Sequence, residues 1–371
     1  MSQSSRSVDP AHGAAELLRR FGMAALGVGL PCLAFYSRRA AIILACLGAI
    51  LLFMGTVIDP AEPIARRVRL FVQSPRFLIA AGLVAWCGAT VAWAPFRTPA
   101  AERFVNILGV AGLAAAGLAA VPERMRAPAL YPLPIGAFAS VLTACAVALE
   151  LRGVSNLNLF SDGAFAMRGV ATMTLFAPVS LGWLLSRGRA AEALALAIGL
   201  LSATFVVGDD VALIVLSVTL VVFALARAAP RLLIPSFAVI AAALILCAPV
   251  LPVLMRPAAI ALDLPATAAL LGDFSRSVVA EADRLLTGHG LESTPRAMAA
   301  GILPNMAGPP LMVSIWYDLG LPAALALAAL ALARGFGGPE RSIDVVAAEL
   351  GLIFATLAQS FLGVAALQAW W

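Results

Sequence analysis

The sequence predicts an all-α, polytopic integral membrane protein. Of its 371 residues 62% are apolar and 12% are charged, against roughly 45–50% and about 25% in soluble domains. So few charges cannot coat a water-facing exterior, so the chain's main solvent must be lipid. Apolar runs near the length that crosses a bilayer, about 20 residues, recur along most of the chain, punctuated by arginine or proline.

Eleven spans follow from those runs: residues 21–36, 40–58, 77–95, 104–121, 130–149, 169–186, 190–208, 211–226, 233–254, 311–333 and 344–367. The first is short and holds Pro31, which predicts a tilted, kinked or interfacial segment. Residues 1–20 are polar and carry His12, Arg19 and Arg20 without an Ala-x-Ala-type cleavage site. They are read as an uncleaved cytoplasmic tail, with residues 21–371 as a single transmembrane domain.

Arginines beside short loops set the expected orientation. Arg66, Arg67, Arg69 and Arg76, then Arg124 and Arg126, Arg187 and Arg189, Arg227 and Arg231, and Arg334 and Arg341 fall in alternate loops. Those loops are expected to be cytoplasmic, although Arg38 and Arg39 in the first outer loop run against the pattern. The long interruption from Met255 to Pro310 then faces outward, into the periplasm of an inner-membrane protein. Within it Phe274, Val278, Val279, Ala282, Leu285 and Leu286 recur at helical spacing between Asp273, a candidate N-cap, and Gly288, a candidate stop. That pattern predicts a short amphipathic helix lying on the membrane surface or over a cavity, or else a lid packed for stability only.

Inventory excludes several chemistries. A net charge of +5, scattered along the chain, leaves no nucleic-acid footprint. All 25 basic residues are arginine, so no phosphate-binding Gly-Lys loop exists, and no Gly-x-Ser-x-Gly elbow occurs. Cys32, Cys46, Cys87, Cys145 and Cys247 lie singly in apolar runs and read as core residues. With two histidines, no metal site and no cofactor is expected. Asp209 and Asp210 make an acidic turn, either solvated or able to hold a cation or act as a base.

What remains is a set of arginines near the outward side: Arg103, Arg168, Arg256, Arg276, Arg284 and Arg296. Arg168, at a helix mouth, either lines a cavity or reaches the headgroups. Arg276 and Arg284 stand about two helical turns apart, on a face that is either solvated or able to grip a pyrophosphate through paired guanidinium donors. His289 sits between Gly288 and Gly290, as a proton shuttle or as a tolerated turn residue.

The order of amphipathic helix, Gly288-His289-Gly290-Leu291, outer loop, then Ile315-Trp316-Tyr317-Asp318-Leu319-Gly320-Leu321-Pro322 resembles the C-terminal half of the O-antigen ligase and polymerase family. Upstream, Met167-Arg168-Gly169 resembles that family's Asn-Arg-Gly motif, and Trp93-Ala94-Pro95 with Arg103 its Trp-Ser-x-x-Pro and following arginine. The resemblance spans about residues 86–330. It implies an enzyme that, at the periplasmic face, transfers a glycan from an undecaprenyl-pyrophosphate carrier to an acceptor. Arg168, Arg276 and His289 are then the catalytic candidates, and Arg103, Arg284, Gly288 and Gly290 the substrate-binding ones. The implied partners are the lipid-linked glycan donor, a glycan or lipid acceptor, membrane lipids and polysaccharide-assembly proteins, with no nucleic acid. One departure stands out: the family's His-Asn pair, nine residues before the Leu-Gly glycine, falls on Pro309 and Pro310. Proline moves no proton, so a non-catalytic relative that binds lipid-linked glycan or partners a polysaccharide polymerase is the alternative, and a transporter a more distant one.

Overall fold

A computed structural model describes residues 10–59, 64–120, 130–152, 163–261, 272, 283–303, 311–335 and 342–362. Every regular element among them is a helix, because in lipid a spanning segment must satisfy its own backbone groups. Nine of these helices are long and apolar enough to cross a membrane, so the chain is a multi-pass membrane protein. They match nine of the eleven expected spans. The other two segments, 21–36 and 77–95, differ for identifiable reasons.

The first is the end of a longer helical run made of α1 (Pro10–Ala24), a π segment (Ala25–Gly29) and α2 (Leu30–Leu33). Pro31 has no N–H to give to Gly27 and its ring crowds that carbonyl; the backbone widens here, with Leu30 N–H reaching back to Ala25 O. Residues 10–20 are therefore helical. They pack on α3 (Arg38–Ile58), whose Ser37 caps it through Oγ and the amide of Ala40. The second, α5 (Pro75–Thr90), has only 16 residues and gives way to a turn before Pro95.

The chain gathers into two compact units, residues 1–74 with 110–209, and residues 75–109 with 210–371. The first unit holds α1 to α3, then α4 (Ile64–Val72), the end of α6 (Arg97–Ala120), α7 (Pro132–Leu151), α8 (Gly163–Ser186) and α9 (Ala190–Val207). Its helices approach closely through glycine. A methyl on Gly22 would lie 2.8 Å from Gly48 O, and one on Gly55 2.8 Å from Ala15 O; one on Gly136 would collide with Gly27 O and one on Gly169 with the Phe35 ring. Small residues at crossings are how helices pack tightly where lipid is as apolar as the side chains. Under this packing Arg19 Nη1 donates to Asp59 Oδ2 at 2.7 Å, with His12 Nδ1 3.3 Å from Asp59 Oδ1.

The second unit holds α5, the start of α6, α10 (Asp210–Ala228), α11 (Pro230–Cys247), α12 (Leu251–Ala261), the single turn α13 (Arg284–Thr287), α14 (Ser293–Ala299), α15 (Leu311–Gly335) and α16 (Ile343–Leu362). Its core lies where α11, α15 and α16 meet, with Met312, Trp316, Ala324, Ala328, Ala241 and Phe354 buried together. Trp316 Nε1 donates to Ile245 O at 2.8 Å, which ties α15 to α11. The expected stop at Gly288 is observed: it follows α13 with φ 74°. The amphipathic stretch before it, with Asp273, lies outside the described residues.

Candidate functional site

α15 is broken in its middle. Gly320 has φ 70° and ψ −162°, a conformation essentially reserved for glycine, and Pro322 two residues on has no N–H to return to Asp318 O. A helix that breaks inside an apolar span strands carbonyls that must be satisfied from elsewhere. Three donors supply them: His289 N to Tyr317 O at 2.8 Å, Gly290 N to Asp318 O at 3.0 Å, and Trp86 Nε1 to Leu319 O at 2.8 Å.

The segment Gly288–Thr294 is thus clasped onto the break, and glycines let it come near enough. A side chain on Gly288 would run into the carbonyl of Asp318, and one on Gly290 into Ala94; a Cβ on Gly320 would sit 2.6 Å from Gly288 N. Asp318 completes the clasp. Its carboxylate is buried and accepts from Glu292 N at 3.1 Å, Thr294 N at 2.7 Å and Thr294 Oγ1 at 2.7 Å. Across the fold it does for the first turn of α14 what a capping side chain does within a chain.

Glu292 pays for this geometry. It is the only non-glycine residue with positive φ, 67°, among the described residues, and its own side chain makes no cap. The carboxylate instead faces Arg103, with Oε2 3.6 Å from Nε and both groups partly exposed. Next to it the His289 ring stacks on Tyr317 at 3.9 Å and 8° between planes, and His289 Nδ1 lies 3.1 Å from Tyr317 O. A neutral histidine that donates from Nδ1 carries its lone pair on Nε2. Arg296 lies over the Phe96 ring at 4.8 Å, and Trp86 is tilted against Trp93 at 5.6 Å. The result is a rigid backbone platform carrying an imidazole, a phenol, a carboxylate and a guanidinium, all half-buried.

Of the residues expected from sequence, His289, Gly288, Gly290 and Arg103 come together here. The two glycines serve as points of close backbone approach. Arg284 is exposed, its carbonyl accepting from Gly288 N at 2.7 Å. Arg276 lies outside the described residues. Arg168 is half-buried on α8 in the other unit, its carbonyl accepting from Thr172 Oγ1. Asp209 and Asp210 form the turn between α9 and α10 that Gly208 opens with φ 81°. Among the described residues no three His, Cys, Asp or Glu groups are arranged to hold a metal ion.

Asp318, Glu292 and Trp86 were not foreseen as site residues. A signal existed for the first: a carboxylate two residues before a Gly-x-Pro inside an apolar run marks both a break and a costly charge that needs partners. Nothing local marks Glu292, whose amide is held by a residue 26 positions away. Comparison of the chain with models of known protein families, with curated proteins and with solved structures finds no match.

Proposed function

We propose that this protein transfers a glycan from an undecaprenyl-pyrophosphate donor to an acceptor sugar at the periplasmic face of the inner membrane, as the resemblance to the O-antigen ligases and polymerases implies. The observation that supports this reading is convergence. Three separate motif segments, around Trp93 to Arg103, Gly288 to Leu291 and Ile315 to Pro322, meet at one clasp in one unit. Displacement of the pyrophosphate needs two things: the C1–O bond to phosphate breaks with its charge held, and the acceptor hydroxyl loses its proton as its oxygen attacks C1. Arg103 at the clasp suits the first task; Nε2 of His289 suits the second.

The test is transfer in proteoliposomes loaded with the lipid-linked donor and an acceptor, wild type against His289→Ala. Proton transfer by a side chain typically contributes about 10² to 10⁴-fold, so turnover should fall by that range while expression stays normal. A wild-type protein that binds the donor but never transfers it would sink the enzyme reading. The second reading, a non-catalytic binder of lipid-linked glycan, draws on the ring of His289, which is already engaged in stacking and bonding to Tyr317, and on Pro309 and Pro310 where the family's His-Asn pair belongs.

A further inference from the structure

We propose that α4 is an anchor for anionic phospholipid, lying in the headgroup layer of the membrane. At roughly 100° per residue, Ile64, Val68, Phe71 and Val72 fall on one side of this nine-residue helix, with Arg66, Arg69 and the exposed Leu70 opposite and Arg67 at the border. An apolar stripe against a basic one is the pattern of a helix that lies in an interface. Its surroundings agree with that. α4 has no extensive packing partner among the described helices, and Val68 and Val72 on its apolar side, like Arg69 on the other, are exposed.

Position and charge select the occupant. α4 starts six residues after Ile58 ends the span of α3, so a short tether keeps it at the depth where a bilayer's hydrocarbon gives way to headgroups. Between Ile64 and Gln73 there are three arginines and no acidic residue. Phosphate-bearing anionic headgroups complement that run, each accepting from a planar guanidinium, while the apolar stripe enters the acyl boundary below them. A zwitterionic surface would receive the stripe but leave the arginines no net charge to meet.

The full-length protein, with its five cysteines replaced and one introduced at the exposed Gln73, carries a fluorophore beside α4 and is reconstituted in vesicles. Quencher-labelled phosphatidylglycerol should quench more strongly than quencher-labelled phosphatidylcholine at equal content. Each arginine near an anionic surface is worth about fivefold in local enrichment, so the triple variant Arg66→Gln, Arg67→Gln, Arg69→Gln should abolish the preference while quenching by phosphatidylcholine persists. Val68→Ser with Val72→Ser should weaken quenching by both lipids. Quenching by neither in the wild type places α4 away from the bilayer and overturns the proposal. Equal quenching by both, or a preference that survives in the triple variant, overturns its anionic-lipid selectivity.

Discussion

Arg19 in one unit and Asp318 in the other are both buried among apolar helices, yet their donors and acceptors are matched very differently. Asp318 meets three donors, two of them backbone amides. Arg19 spends one nitrogen on Asp59, while its Nε and Nη2 are buried with no hydrogen-bond partner among the described residues. The first arrangement completes a backbone that would otherwise be unsatisfied. The second neutralises one charge with another and leaves part of the guanidinium's hydrogen-bonding capacity unused. A carboxylate can therefore stabilise an apolar fold by capping main chain, whereas an ion pair in the same setting recovers only part of what desolvation costs.

Breaking the ion pair gives the largest expected effect. Arg19→Ala takes the guanidinium away from the fully buried Asp59 carboxylate, and the fold should lose about 3–5 kcal/mol. Replacing both partners, Arg19→Met with Asp59→Leu, should restore most of that loss, because packed apolar groups need no partner. Chemical unfolding in micelles measures both variants. If the double variant is as unstable as Arg19→Ala, the cluster is more than a neutralised charge, and the contrast with Asp318 fails.

Asp318→Ala comes next, at about 3 kcal/mol for three donors deprived of their acceptor. Here no second apolar substitution can rescue the loss, since Thr294→Val removes one donor and the amides of Glu292 and Thr294 remain. Asp318→Asn should cost less, because its amide oxygen still accepts. Hydrogen exchange across Gly288–Thr294 should quicken in Asp318→Ala and stay slow in Arg19→Ala. Equal protection in both would mean that the clasp does not depend on its cap.

The same contrast explains what sequence could and could not reveal. Helix type and most spans follow from hydropathy, a property each residue carries alone, and nine spans were legible that way. The helical character of residues 10–20 was missed because His12, Arg19 and Arg20 look like a solvated tail. Only the tertiary encounter of Arg19 with Asp59, 40 residues away, makes burial tolerable. At the clasp, Gly288, His289, Gly290 and Arg103 could be singled out from type and order, since glycine and histidine are informative in any context. Trp86 and Glu292 could not, because their roles come from Leu319 O and Asp318, 233 and 26 positions distant.

The smallest effect tests whether Asp318 holds Glu292 under strain. At φ 67° a side chain costs about 1–2 kcal/mol relative to glycine, while glycine itself loses about 0.5–1 kcal/mol through the freedom of its unfolded chain. Glu292→Ala and Glu292→Gly both give up the partly exposed contact with Arg103, worth about 0–1 kcal/mol, so that term cancels between them. What is left is the backbone, and Glu292→Gly should be more stable than Glu292→Ala by about 0.5–1 kcal/mol, the reverse of their order in a regular helix. In an Asp318→Ala background the segment is free to leave the left-handed region, and the advantage of glycine should shrink toward zero or change sign. An advantage of the same size in both backgrounds would show that the turn after Gly290, and not the carboxylate across the fold, sets the conformation of Glu292.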